Sequence, residues 1–181
     1  MSKDTCGAGI LALDLGTTTG WACAAPNHLG FGFKAFSRSK AKKEHHGHQF
    51  RAFTGWLKND LIPQIPGGIQ AISFELVGFG EGAASQQMGN AWRCCVLMVC
   101  AEHGYAYHEV TPGTWKKLVV GKGNAKKPQI QQHVEQVMGL GAQSEDTSDA
   151  LCLLDYTLRT WYETEISKFK KDGRGNHYGK G

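Results

Sequence analysis

The chain has 181 residues, 41% hydrophobic and 20% charged, a balance that suits one folded domain with a proper core and excludes a disordered or fibrous chain. No run approaches the ~18 apolar residues of a membrane span, and the opening MSKDTCGAGI has acid and cysteine where a signal peptide has an apolar centre, so no membrane partner and a cytoplasmic setting are expected. A net charge of +4 is compatible with nucleic acid as a partner without identifying it.

Residues 8–14 (AGILALD) form an apolar run ending on an acid, the pattern of a buried strand. Gly16 and a threonine run make a tight turn, residues 20–25 read as a second strand, and 29–37 (LGFGFKAFS) alternate well enough for a third. A polar stretch, KAKKEHHGHQF, leads into a helix over about 49–61, where Phe50, Phe53, Leu57 and Leu61 share a face and Pro63 and Pro66 follow. Residues 69–76 (IQAISFEL) are a fourth strand with Glu75 near its end. The longest helix is expected over 83–103, closed by Gly104. A fifth strand (105–110), a short helix containing Trp115, the loop GKGNAKK and a helix over about 128–138 come next. Ser144 is the expected N-cap of a last helix reaching about Tyr162. The expected division is one folded domain over 1–165 and a basic, disordered tail over 166–181.

An antiparallel meander followed by β–α–β crossovers specifies a mixed five-stranded sheet flanked by helices, an α/β fold of ribonuclease-H-like arrangement. The six cysteines form no C-x-x-C pair, which argues against a zinc site. They are expected to be small buried hydrophobes in a reducing compartment. His45, His46 and His48 lie in a polar linker and are expected to be solvated.

Four acids occupy informative places. Asp14 and Glu75 end strands that can be neighbours, so their side chains can converge at one sheet edge. Asp146 and Asp149 are three apart at a helix start and share a face. Carboxylates gathered this way repel one another unless cations neutralise them. Mg²⁺ and Mn²⁺ prefer such hard oxygen ligands, and two ions about 4 Å apart serve phosphodiester hydrolysis. Taken singly, each acid also suits a turn or an answer to the helix dipole.

The stretches ALDLGTTTGWA, ISFELV, TWKKLVVGKGNAKK and EDTSDALCLL together resemble the RuvC family of Holliday junction resolvases, across nearly all of residues 8–160. The resemblance implies a Mg²⁺-dependent endonuclease, with Mn²⁺ as a substitute and two ions per site, acting on four-way DNA junctions as a homodimer. It implies Asp14, Glu75, Asp146 and Asp149 as metal-binding catalytic residues. Lys127 would be a catalytic lysine offsetting developing charge, and Lys116 a DNA contact; a solvated loop is the alternative for both. Where the family often carries a wedging aromatic just after the strand-end Glu, this chain has Gly78, with Phe79 beside it. Phe79 is then a candidate for stacking on unpaired DNA bases, with an ordinary core position as its alternative.

Three other functions stay open on the sequence. LDLGTTTGWA also resembles the phosphate-binding hairpin of actin-like and sugar-kinase ATPases, although no second glycine-rich hairpin follows. A non-catalytic DNA-binding relative would not need all four acids. The altered wedge position also suits a nuclease acting mainly on flaps and forks. The expected dimer interface is the long helix, whose Trp92, Val96, Met98 and Val99 spread over more than one face.

Overall fold

The computed structural model describes residues 8–37, 45–76, 82–141 and 143–171, with the helix path alone over 162–171. Five strands form one sheet: β1 (Gly9–Asp14), β2 (Thr18–Ala25), β3 (His28–Ala35), β4 (Ile69–Glu75) and β5 (Ala106–Val110), in the order β3-β2-β1-β4-β5. The first three are an antiparallel meander, while β4 runs parallel to β1 and β5 parallel to β4. This is the mixed sheet expected from the element order.

The central position of β1 explains its composition. Leu11 and Leu13 enter one core, Ile10 and Ala12 the other, and all four are buried. A strand covered on both faces needs an unbroken apolar run rather than alternation. The first core lies under α1 (His46–Trp56) and α2 (Ala83–His103), with Trp92 seated among Phe36, Phe50 and Phe53 at 5.1–5.9 Å between ring centroids. The second lies under α3 (Pro112–Val119), α4 (Lys127–Gln136) and α5 (Glu145–Lys171).

Three expectations change. The helix expected over 49–61 starts earlier, because the His45 side chain accepts from the Gly47 N–H, and it ends as an α-helix at Trp56. A π turn over Leu57–Leu61 then buries both leucines, and a 3₁₀ turn at Ile62–Gln64 takes in Pro63, which has no N–H to offer a wider helix. The last helix continues past Tyr162 to Lys171, since neither glycine nor proline interrupts the run after Ser144 until Gly173. The expected boundary at 165 therefore falls inside α5, and residues 172–181 lie outside the described residues. Finally, Cys23, Cys95, Cys100 and Cys152 are buried as expected, but Cys94 is exposed on the outer side of α2; Cys6 is outside the described residues.

The long helix also differs from the apolar belt expected of it. Trp92, Val96 and Val99 are 2% exposed or less and belong to the core of the single chain, whereas Met98 is 68% exposed. One sheet face together with α1 covers three of the four residues that had suggested a dimer surface. Among the described residues, no helix is long and apolar enough to cross a membrane.

Candidate active site

Pleating decides which acids can meet. Ile10 and Ala12 face the α5 side of β1, so Asp14, two residues further on, faces it too. On β4, Ser73 accepts from the Thr157 hydroxyl of α5, which puts Glu75 on the same side. Leu13 pairs with Phe74, so Asp14 and Glu75 stand at adjacent positions where the two parallel strands end. The start of α5 is fixed by Ser144, whose hydroxyl oxygen accepts from the Thr147 N–H at 3.2 Å while its carbonyl accepts from Ser148 at 2.9 Å. That cap sets Asp146 and Asp149 on the first turns, above the strand ends. Asp14 pairs across the sheet with Gly20, and Gly20 lies directly under the backbone of Asp146.

The electrostatics match this placement. Burial holds the Asp14 carboxyl well above the usual carboxylate range, and the charges of Asp149, Glu75 and Asp146 raise it further, against a smaller pull from Lys127. Asp149 is pushed up to about 6, first by burial; Lys116 and Lys127 oppose the shift and Asp146 and Glu145 add to it. Burial also raises Glu75 and Asp146. Acids from three separate segments thus act on Asp14 in a partly desolvated site.

Among the described residues, however, no three carboxylate, imidazole or thiol groups close into a ready-made metal cage. The quartet expected to bind metal is a shared electrostatic site rather than a tight cluster. Its donor chemistry nonetheless fits a hard divalent cation. Mg²⁺ keeps several waters and takes one or two protein carboxylates together with substrate phosphate oxygens, so an open set of acids suits it better than a closed one.

The lysines sit at the rim. Lys127, the first residue of α4, makes a 2.5 Å ion pair with Glu145, both side chains being about half exposed. It also lies within electrostatic reach of Asp14, Asp146 and Asp149. Lys116 holds its ammonium 5.2 Å from the centre of the Trp115 ring and acts on Glu75 and Asp149. Gly78 and Phe79 lie outside the described residues. The linker histidines are exposed: His45 caps α1, and His46 bonds Gln49 at 3.0 Å.

Three participants were not legible from the sequence. The fully buried Trp115 donates its indole N–H to Glu75 Oε2 at 2.6 Å. Gly20 makes room for α5, and Glu145 pairs with Lys127. Only the position of Trp115 beside Lys116 hinted at its involvement.

The family model described as crossover junction endodeoxyribonuclease RuvC matches residues 64–154, half of the chain. A RuvC of Parvibaculum lavamentivorans is 42% identical over 74 residues, covering 40% of this chain and 42% of that protein. One from Cereibacter sphaeroides is 39% identical over 107 residues, 59% of this chain and 62% of that protein. The chain thus spans less than two thirds of the length of these curated relatives. The Thermus thermophilus RuvC solved in complex with a Holliday junction substrate superposes with a TM-score of 0.69 at 18% identity, over 87% of this chain and 96% of that one. At that identity the likeness speaks for the fold.

Proposed function

The chain belongs to the RuvC family, and from that premise we propose that it is a metal-dependent endonuclease hydrolysing phosphodiester bonds in four-way junctions and other branched DNA. The observation that carries this is the carboxyl of Asp14, raised by burial and by three further acids, Glu75, Asp146 and Asp149, that arrive from β4 and α5. A core does not gather four acids at one sheet edge for stability, since uncompensated like charges there work against folding. It is the arrangement expected of a cation site.

Asp14 and Glu75, fixed on neighbouring strands, would hold Mg²⁺, or Mn²⁺ in its place, together with Asp146 and Asp149 from the first turns of α5. Two ions per site is the stoichiometry this donor set suits. The cations supply activation of the attacking water and stabilisation of charge on the scissile phosphate. Lys127 and Lys116 place positive charge at the rim, where a phosphate backbone arrives and where charge develops as the bond breaks. The Glu145 partner of Lys127 would yield to a phosphate, because an exposed ion pair is worth only about 0–1 kcal/mol.

A two-fold symmetric junction needs two cuts, and a homodimer provides two sites with one gene product. The exposed side of α2, which carries Met98 and Cys94, is the surface proposed for it. Sedimentation with and without junction DNA tests the dimer, and a strict monomer in both would refute it. The activity itself is tested by incubating the protein with an end-labelled immobile junction. Cleavage should stop on chelation and return with Mg²⁺, whereas uncut junction at every metal concentration would refute the proposal.

A further inference from the structure

Trp115 is a large side chain with no exposed surface, and its indole N–H must find an acceptor. It finds the carboxylate of Glu75, 40 residues earlier in the chain, at 2.6 Å. The bond ties the first turns of α3 to the end of β4, and it uses one oxygen of a side chain placed here in the metal site.

The surroundings of Glu75 give this bond a purpose. Beside it opens a groove of about 560 Å³ lined by Gln86, Asn90, Arg93, Glu109 and Thr111. Arg93 stands in that groove, already paired with Glu109 at 2.5 Å. Glu75 itself lines that groove, so an untethered carboxylate there has room to turn into it. A short bond from a rigid, fully packed indole opposes that swing and fixes the plane of the carboxylate. Lys116, the next residue, holds its ammonium over the same ring, so one side chain contacts both an acid and a base of the site.

We propose that Trp115 is a positioning residue that holds Glu75 in its ligating orientation and so sets the affinity of the site for its cation. This rests on the metal-site assignment above. Groups that orient metal ligands in this way typically change metal affinity or activity by about 10–100-fold when lost.

The test is Mn²⁺ binding to the DNA-free protein, followed by the electron-spin signal of free Mn²⁺, for wild type, Trp115→Phe, Glu75→Gln and the double variant. Phenylalanine keeps most of the packing and removes the N–H. Trp115→Phe should weaken Mn²⁺ binding by about 10–100-fold and should add nothing in the Glu75→Gln background. Unchanged affinity in Trp115→Phe, or an equal loss in both backgrounds, would overturn the proposal. If Glu75→Gln itself binds Mn²⁺ as wild type does, the metal-site assignment fails instead. Should Trp115→Phe not fold, ¹⁵N-indole spectra of the wild type decide. One indole resonance, displaced in Glu75→Gln, should shift on Mg²⁺ titration, and an unmoved resonance refutes the tether.

Discussion

A β-carbon on Gly20 would lie 1.9 Å from the carbonyl oxygen of Asp146; β2 and the first turn of α5 meet with no space for a side chain. Gly20→Ala must therefore lift the start of α5 away from the sheet, and Asp146 and Asp149 with it. The core beneath is otherwise untouched, so the expected cost in stability is that of overpacking, about 1–3 kcal/mol. Misplacing reacting groups by about 1 Å can cost on the order of a hundredfold in rate, so cleavage should fall far more than the melting temperature suggests. Thermal melts and single-turnover cleavage of the same preparation check this.

Asp14→Asn, Glu75→Gln, Asp146→Asn and Asp149→Asn should each lower cleavage by at least about a hundredfold while junction binding, read by gel shift, stays near wild type. The shape is kept and the charge is lost. Asp14→Asn should also melt higher than wild type without metal, because it removes a buried charge facing three others. Normal cleavage by any of the four would remove that residue from the site.

The raised carboxyls give a stability profile of definite sign. Asp14 and Asp149 bind protons more tightly folded than unfolded, Asp149 at about 6. The contribution of Asp149 to metal-free stability is therefore least above about 6 and improves as pH falls towards the unfolded aspartate range, and that of Asp14 changes in the same direction. A bound cation works the other way, since it needs the deprotonated acids. Mn²⁺ should consequently raise the melting temperature more at pH 7.5 than at pH 5. An equal rise at both pH values would count against these acids as its ligands.

Lys127→Ala should lower the rate of cleavage more than it weakens binding, if its ammonium faces charge that develops in the transition state. Lys116→Ala should weaken binding at least as much as it slows the reaction. Glu145→Gln frees Lys127 from its partner, and a near-normal or slightly tighter junction affinity is expected of it. Cleavage rates and gel-shift affinities at fixed salt separate these outcomes. Negligible effects at both lysines would leave them as a solvated rim.

Much of this was legible in the residues. The run from Gly9 to Asp14 had to be a strand covered on both faces, and glycines at 82 and 104 bracket α2 at the limits expected, the second with the left-handed φ of 72° that a helix end favours. The spacing of Asp146 and Asp149 placed them on one helical face, and strand ends placed Asp14 and Glu75. What was not legible depends on contacts between distant segments. Nothing local marks Trp115 as the partner of Glu75 or Gly20 as the seat of Asp146. The apolar content of α2 could not tell Trp92, which is core, from Met98, which is not. The π turn at Leu57–Leu61 changes the helix winding without leaving a mark on the hydrophobic period.

The most direct test of a branched-DNA endonuclease is cleavage of a fixed four-way junction, a mobile four-way junction, a flap and plain duplex, side by side with Mg²⁺. Wild type should cut the branched substrates and spare the duplex, with Asp14→Asn inactive on all of them. Preference for the flap over both junctions would reassign the substrate within the same chemistry. Intact junctions and flaps with wild-type protein, or duplex cut as readily as either, would contradict the function proposed here.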